Sequence, residues 1–238
     1  MVSPIVEEDY YDNPDGSMIW GPLGFPPLSG GEAYRRILDF GCGCGREARR
    51  LALQTNPPER YTGIDINAQM IDWCKKNLKL PGFEFFHHDV WNFKYAPDNS
   101  KNRVLPISQH GSGFTLIEAN SVFTHLMEDQ SRYYLKEMAG MLAPNGIVRT
   151  TWFLINKKAF PMMNEKLNTV FVDEEDPTFA VFYDWQAFVS MIHELGYKII
   201  SIDWAQMLGF HNIIYFARGE GFKDVSKVTP PGDCVLGF

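Results

Sequence analysis

Three glycines at alternate positions, Gly41, Gly43 and Gly45, follow the short apolar stretch Arg36-Ile37-Leu38-Asp39-Phe40. A turn without Cβ atoms lets backbone come close to a ligand, and the helix that follows brings its N-terminus nearby. Asp65 ends the next apolar stretch, Tyr61-Thr62-Gly63-Ile64-Asp65, roughly 20 residues beyond the loop, the spacing at which an acid meets ribose hydroxyls. Two nucleotide cofactors fit that outline, and the details separate them. A dinucleotide fingerprint reads GxGxxG and sets a pyrophosphate on the helix N-terminus. Here the third glycine comes one residue early and Asp39 precedes the loop. An anion beside a pyrophosphate is repulsive, whereas a carboxylate can meet the ammonium group of an amino-acid tail on a sulfonium. Both features favour S-adenosylmethionine over NAD.

Methyl transfer from a sulfonium is an in-line displacement, so positioning and exclusion of water do most of the work. An oxygen acceptor also benefits from a base. His125, after the apolar stretch Phe114 to Ala119, is the best-placed histidine. The competing reading is a ring that caps or packs the following helix. His211 reads as a turn residue near the same cleft, and His87 and His88 as structural or cofactor-side. Asp184 reads as a helix N-cap and Tyr183 as a pocket residue. Tyr10, Tyr11, Trp20 and Phe25 either close over a ligand or pack the N-terminal arm on a sheet edge.

These residues need a scaffold, and strand and helix patterns alternate along the chain. Strands are expected at 36–40, 61–65, 83–87, 114–119, 147–154, 198–204 and 212–216. Helices are expected at 46–54, 68–80, 129–142 and 184–195, the third ended by Pro144-Asn145-Gly146 and the last stopped by Gly196. The alternation implies an α/β, doubly wound, mostly parallel seven-stranded sheet with helices on both faces. The stretch Asn92 to Gly113, rich in Pro, Gly, Asp and Asn, is long for a loop inside a compact domain and reads as functional or mobile. Residues 156–182 are less regular. The expected organisation is an irregular arm at 1–31, one domain at 32–218 and a tail at 219–238.

Composition narrows the partners. With 238 residues the chain can bury a sizeable core. Its net charge of −7, without a Lys/Arg cluster, argues against nucleic acid. No stretch approaches the ~20 apolar residues of a membrane span, so no transmembrane segment is expected. The start of the chain lacks signal-peptide features. Cys42, Cys44, Cys74 and Cys234 form no disulfide pattern and no metal-ligand spacing, which points to reduced thiols in a cytoplasmic protein and no metal.

The run from Ile37 to Arg46 closely resembles the signature loop of class I S-adenosylmethionine-dependent methyltransferases, whose fold is Rossmann-like. The likeness continues through Tyr61 to Ile66, His88-Asp89-Val90 and Leu142 to Gly146, and spans about Arg36 to Ala217. Phe85 to Asn92, Ser121 to Leu126 and Thr151 to Asn156 are further similar to bacterial members that O-methylate sugars in glycolipids and related glycoconjugates. The resemblance implies that Gly41, Gly43 and Gly45 lie under the methionine part of the cofactor and that Asp39 reaches its amino group. It implies Asp65 on the ribose, and Ile66, Met70 and Val90 or Trp91 against adenine. Asp89 would hold the adenine amino group, and Asn120 and Ser121 would lie near the sulfonium. Thr115 stands where the family commonly has an acid. The acceptor expected is a sugar hydroxyl of a small molecule or glycoconjugate. An amine, thiol or peptide acceptor, a catalytically silent cofactor-binding subunit and, more distantly, a nicotinamide oxidoreductase are the alternatives.

Overall fold

The computed structural model describes residues 34–52, 57–160, 167–171, 173–205 and 211–231. The N-terminal arm with Tyr10, Tyr11, Trp20 and Phe25, and Cys234, lie outside the described residues. Strands β1 (Arg36–Phe40), β2 (Arg60–Asp65), β3 (Phe83–His87), β4 (Phe114–Ala119) and β5 (Leu142–Ile155) pair in parallel in the order β3-β2-β1-β4-β5. After two short strands, β6 (Thr169–Phe171) and β7 (Val181–Asp184), come β8 (Lys198–Asp203) and β9 (Asn212–Ala217). β9 lies antiparallel between β5 and β8, so β8 again runs with the first five. The order β3-β2-β1-β4-β5-β9-β8 is the expected seven-stranded, mostly parallel sheet. β6 and β7 add a small extension where the far end of β5, Phe153 to Ile155, pairs with β7.

Both faces of the sheet are covered, which is why the central strands are apolar throughout. In β1, Leu38 and Phe40 point to one core, with Tyr134 and Leu135 of α3 (Glu128–Met141) and Trp185 and Phe188 of α4 (Trp185–Glu194). Ile37 points to the other, with Ala48 and Leu51 of α1 (Arg46–Ala52) and Ile71 and Cys74 of α2 (Ala68–Asn77). This is the period-2 alternation of a strand dividing two helical layers. Helix starts are fixed locally. Asn67 Oδ1 accepts from the Met70 N–H at 3.0 Å, and Asp184 Oδ2 from the Ala187 N–H at 3.0 Å, the N-cap role expected of Asp184.

The crossover from β3 to β4 contains no α-helix, only a 3-10 turn at Ser108–His110, so the Asn92 to Gly113 stretch is a long loop, as expected. Two local expectations change. Pro144-Asn145-Gly146 does not separate helix from strand. β5 already begins at Leu142, which pairs with Phe114 before a register shift resets the ladder at Leu116↔Ile147. The expected tail joins the domain as far as it is described, for Phe222 is buried and the Val225 N–H donates to the Ile199 carbonyl at 2.7 Å. Among the described residues, no helix is long and apolar enough to cross a membrane.

Candidate functional site

Strand order reverses between β1 and β4, and at the carboxyl ends of these strands lies a cavity of about 460 Å³. Open α/β sheets bind ligands at such a switch point. Its wall includes Gly41 and Gly43 after β1, Asp65 and Ile66 after β2, Val90 and Trp91 after β3, and Asn120 and Ser121 after β4. Met70 of α2 and His125 complete the set of predicted residues that meet there.

The loop is tied to β2 from below. The Gly41 and Cys42 N–H groups both donate to the Ile64 carbonyl, at 2.7 and 3.1 Å. The Gly43 N–H donates to Asp65 Oδ2 at 2.8 Å, while Asp65 Oδ1 accepts from the Asn67 N–H at 2.8 Å. Burial pushes the Asp65 carboxyl above its usual pKa, against these two N–H donors. Each oxygen still has a lone pair for a ligand hydroxyl. Gly43 has φ of +54°, and a Cβ built there would meet only Met70 Sδ, at 3.9 Å. A side chain at 43 would therefore enter the cavity rather than strike protein.

Four predicted residues are placed differently. Gly45 is off the cavity wall, and a Cβ on it would lie 2.5 Å from Leu78 Cδ1. Its missing side chain serves the packing of the loop on α2. Asp39 points to the opposite side of β1, is buried, and accepts the hydrogen bond of the Tyr61 hydroxyl. Burial, and next the negative charge of Glu118, raise its pKa well above the carboxylate range. Asp39 thus engages β2 through Tyr61 and is off the cavity wall. Asp89 is also off the wall. Ser100 donates to both of its oxygens, through its N–H at 3.0 Å and through its hydroxyl, which lowers the Asp89 pKa. Tyr183, expected in the pocket, is core, with its hydroxyl donating to the Leu126 carbonyl at 2.6 Å.

The loop after β3 is held over this edge. Asn99 Nδ2 donates to the carbonyls of Ile66 and Val90, at 2.8 and 2.9 Å, so the Asn92 to Gly113 stretch docks on two cavity-wall segments. That stretch supplies Asn92, Tyr95 and Arg103 to the wall. Thr178, Gln130 and Tyr134 join them, and none of these six was singled out from sequence. The one signal was the length and composition of the loop. His88 lines the cavity with Nε2 2.9 Å from the Tyr134 hydroxyl, and burial lowers its pKa to about 4. It is a neutral ring on the cavity wall.

Ser121 adopts φ of +56°, a left-handed conformation unusual for a non-glycine residue. Its N–H donates to Thr151 Oγ1 at 2.7 Å, and its hydroxyl lies 3.3 Å from His211 Nδ1. Strain of this kind persists where surrounding structure over-determines it, here at the end of β4 on the cavity wall. His211 is off the wall and reaches it through Ser121. His125 sits on the wall with Nδ1 2.9 Å from the Thr178 carbonyl. A carbonyl only accepts, so Nδ1 carries the hydrogen and Nε2 is left as the acceptor of the neutral ring.

Residues 38–148, which contain the glycine loop and every strand end bordering the cavity, match the family model described as a methyltransferase domain. Over this stretch, just under half of its length, the chain is similar to methyltransferase domains. Over 112 residues the chain is 32% identical to a phthiotriol/phenolphthiotriol dimycocerosates methyltransferase of Mycobacterium tuberculosis, covering 47% of this chain and 35% of that protein. A fatty-acid O-methyltransferase of Mycolicibacterium smegmatis is 30% identical with the same coverage of both chains. The matched stretch thus spans about a third of the length of these relatives. The methyltransferase fold is shared with a SAM-dependent methyltransferase of Leishmania major, with a TM-score of 0.54 at 16% identity over 80% of this chain and 67% of that one. It is shared too with DhpI in its complex with SAM and HEP, with a TM-score of 0.52 at 18% identity over 79% and 81%.

Proposed function

We propose that this methyltransferase domain O-methylates a hydroxyl of an amphiphilic small molecule or glycoconjugate, with a sugar hydroxyl as first choice, and that His125 is its base. The observation that carries the reading is the His125 ring on the cavity wall with Nδ1 committed to the Thr178 carbonyl. S-adenosylmethionine, when bound, supplies a sulfonium methyl group open to in-line displacement. The residues of the chain bind, orient and exclude water. Gly41 and Gly43 leave the amino-acid end of the cofactor room against backbone. Asp65, with both oxygens oriented by N–H donors, accepts from the ribose hydroxyls. Ile66, Met70 and Val90 give adenine an apolar slot, and Asn120 and Ser121 border the reacting centre. His125 receives the acceptor's hydroxyl proton at Nε2.

The wall beyond the cofactor residues is mixed. Trp91, Tyr95, Leu126 and Tyr134 offer ring and aliphatic surface beside the polar Asn92, Gln130 and Thr178. Such a wall suits a hydroxyl-bearing acceptor with apolar surface. The relatives whose names mention phthiotriols and fatty acids support an amphiphilic acceptor.

Incubating the protein with methyl-labelled cofactor and octyl glucoside, a fatty acid or a long-chain amine, followed by mass spectrometry, tests the acceptor. Label on an oxygen of octyl glucoside supports the reading, and label on the amine alone overturns it. His125→Ala should lower kcat roughly 100-fold, the lower end of what general base catalysis supplies. Its affinity for S-adenosylhomocysteine should be unchanged. Full turnover in that variant removes His125 from the mechanism.

A further inference from the structure

We infer that Asp176 and Thr178 are positioning residues that fix which nitrogen of His125 accepts a proton. The inference rests on His125 as base and deepens that reading. The neutral histidine side chain in water favours the tautomer with hydrogen on Nε2, which is the wrong one for a base acting at Nε2. The Thr178 carbonyl, 2.9 Å from His125 Nδ1, reverses that preference only if it is held still.

The structure holds it from two sides. Thr178 donates twice to one oxygen of Asp176, from its N–H at 3.2 Å and from its hydroxyl at 2.6 Å. Asp176 is 6% exposed and its own N–H donates to Asp173 Oδ1 at 3.3 Å, so the turn is built on itself. From across the cavity mouth, Asn92 Nδ2 donates to Thr178 Oγ1 at 3.1 Å. The other end of the Asn92 amide accepts the Lys94 and Tyr95 N–H groups, at 3.0 and 2.8 Å. Tyr95 meets the His125 ring edge-on at 5.2 Å between centroids. The Asn92 side chain therefore links the two neighbours of the imidazole: the carbonyl that sets its tautomer and the ring that sets its tilt. Asp176 is off the cavity wall and acts through Thr178.

The test is long-range ¹H–¹⁵N correlation of the histidine side chains in the ¹⁵N-labelled full chain, at mildly alkaline pH. His125 is assigned by loss of its signals in His125→Gln. The wild type should show His125 with hydrogen on Nδ1. Thr178→Val keeps the carbonyl and the volume but removes both hydroxyl contacts, and it should move His125 toward the Nε2–H tautomer. Thr178→Ser and Asp176→Asn, which keep the linking atoms, should restore the wild-type pattern. A wild-type ring protonated on Nε2, or an unchanged tautomer in Thr178→Val, overturns the proposal. So does failure of Thr178→Ser to restore the pattern. Should Thr178→Val not fold, the double variant Asn92→Ala, Asp176→Ala removes the partners of both Thr178 hydroxyl contacts from outside Thr178, and an unchanged His125 tautomer there overturns the proposal equally. The readout needs neither cofactor nor acceptor, so it stands or falls apart from the methyl-transfer reading.

Discussion

Gly43 and Gly45 are two residues apart and absent side chains do different work at each. At Gly43 the missing atoms are cavity space, so Gly43→Val should weaken S-adenosylhomocysteine binding at least about tenfold, through lost room and a left-handed backbone costing roughly 1–2 kcal/mol. At Gly45 the missing atoms are room for Leu78, so Gly45→Val should instead lower the melting temperature. Calorimetry beside thermal melts separates the two. His88 gives a pH prediction. Its folded pKa, near 4, lies below the ordinary 6.5, so the unfolded chain binds the extra proton between those values. Stability from this ring is therefore full above pH 6.5 and lost as pH falls toward 4, by about 3 kcal/mol at most. Urea titrations of the wild type and His88→Gln across pH 4–7 should show the wild type falling more steeply. The glycine loop and Asp65 were legible because their chemistry is local and their spacing fixed. Asp39 and Asp89 were less so, because what engages their carboxylates, the Tyr61 hydroxyl and Ser100, comes from contacts that residue spacing does not report. Thr178 was invisible because it meets His125 only through a backbone carbonyl, which leaves no mark on residue type.

At the scale of elements, the β4–β5 ladder carries a buried ion pair. Glu118 of β4 stands in register with Arg149 of β5, their side chains 2.7 Å apart and buried. Glu118→Ala removes one partner of a desolvated pair and should cost about 3 kcal/mol in urea unfolding. Replacing both with methionine should recover most of that, and equal losses in the single and double variants would contradict the account. Strands buried on both faces announce themselves as short apolar runs, so all seven sheet strands were legible within a residue or two at most ends, β5 apart. What was not legible follows from tertiary contact. β5 reaches back through Pro144-Asn145-Gly146 because Phe114 offers a partner, and β6 with β7 forms on the far end of β5. The β3 to β4 connection forms no α-helix and is tied down by Asn99 and Ser100 side-chain hydrogen bonds, which no hydrophobic period reports.

For the molecule as a whole, the sheet's reversal of strand order sets the cavity beside the glycine loop, and segments far apart in the chain close it. Asn92, between β3 and β4, and Thr178, between β6 and β7, are 86 residues apart in the chain and make one rim. The central claim is that this cavity holds S-adenosylmethionine, and isothermal titration of S-adenosylhomocysteine into the protein tests it most directly. Saturable binding at one site, abolished or at least tenfold weaker in Gly43→Val and absent with NADH, is the predicted result. No heat with S-adenosylhomocysteine, or equal binding in the folded Gly43→Val variant, would contradict it.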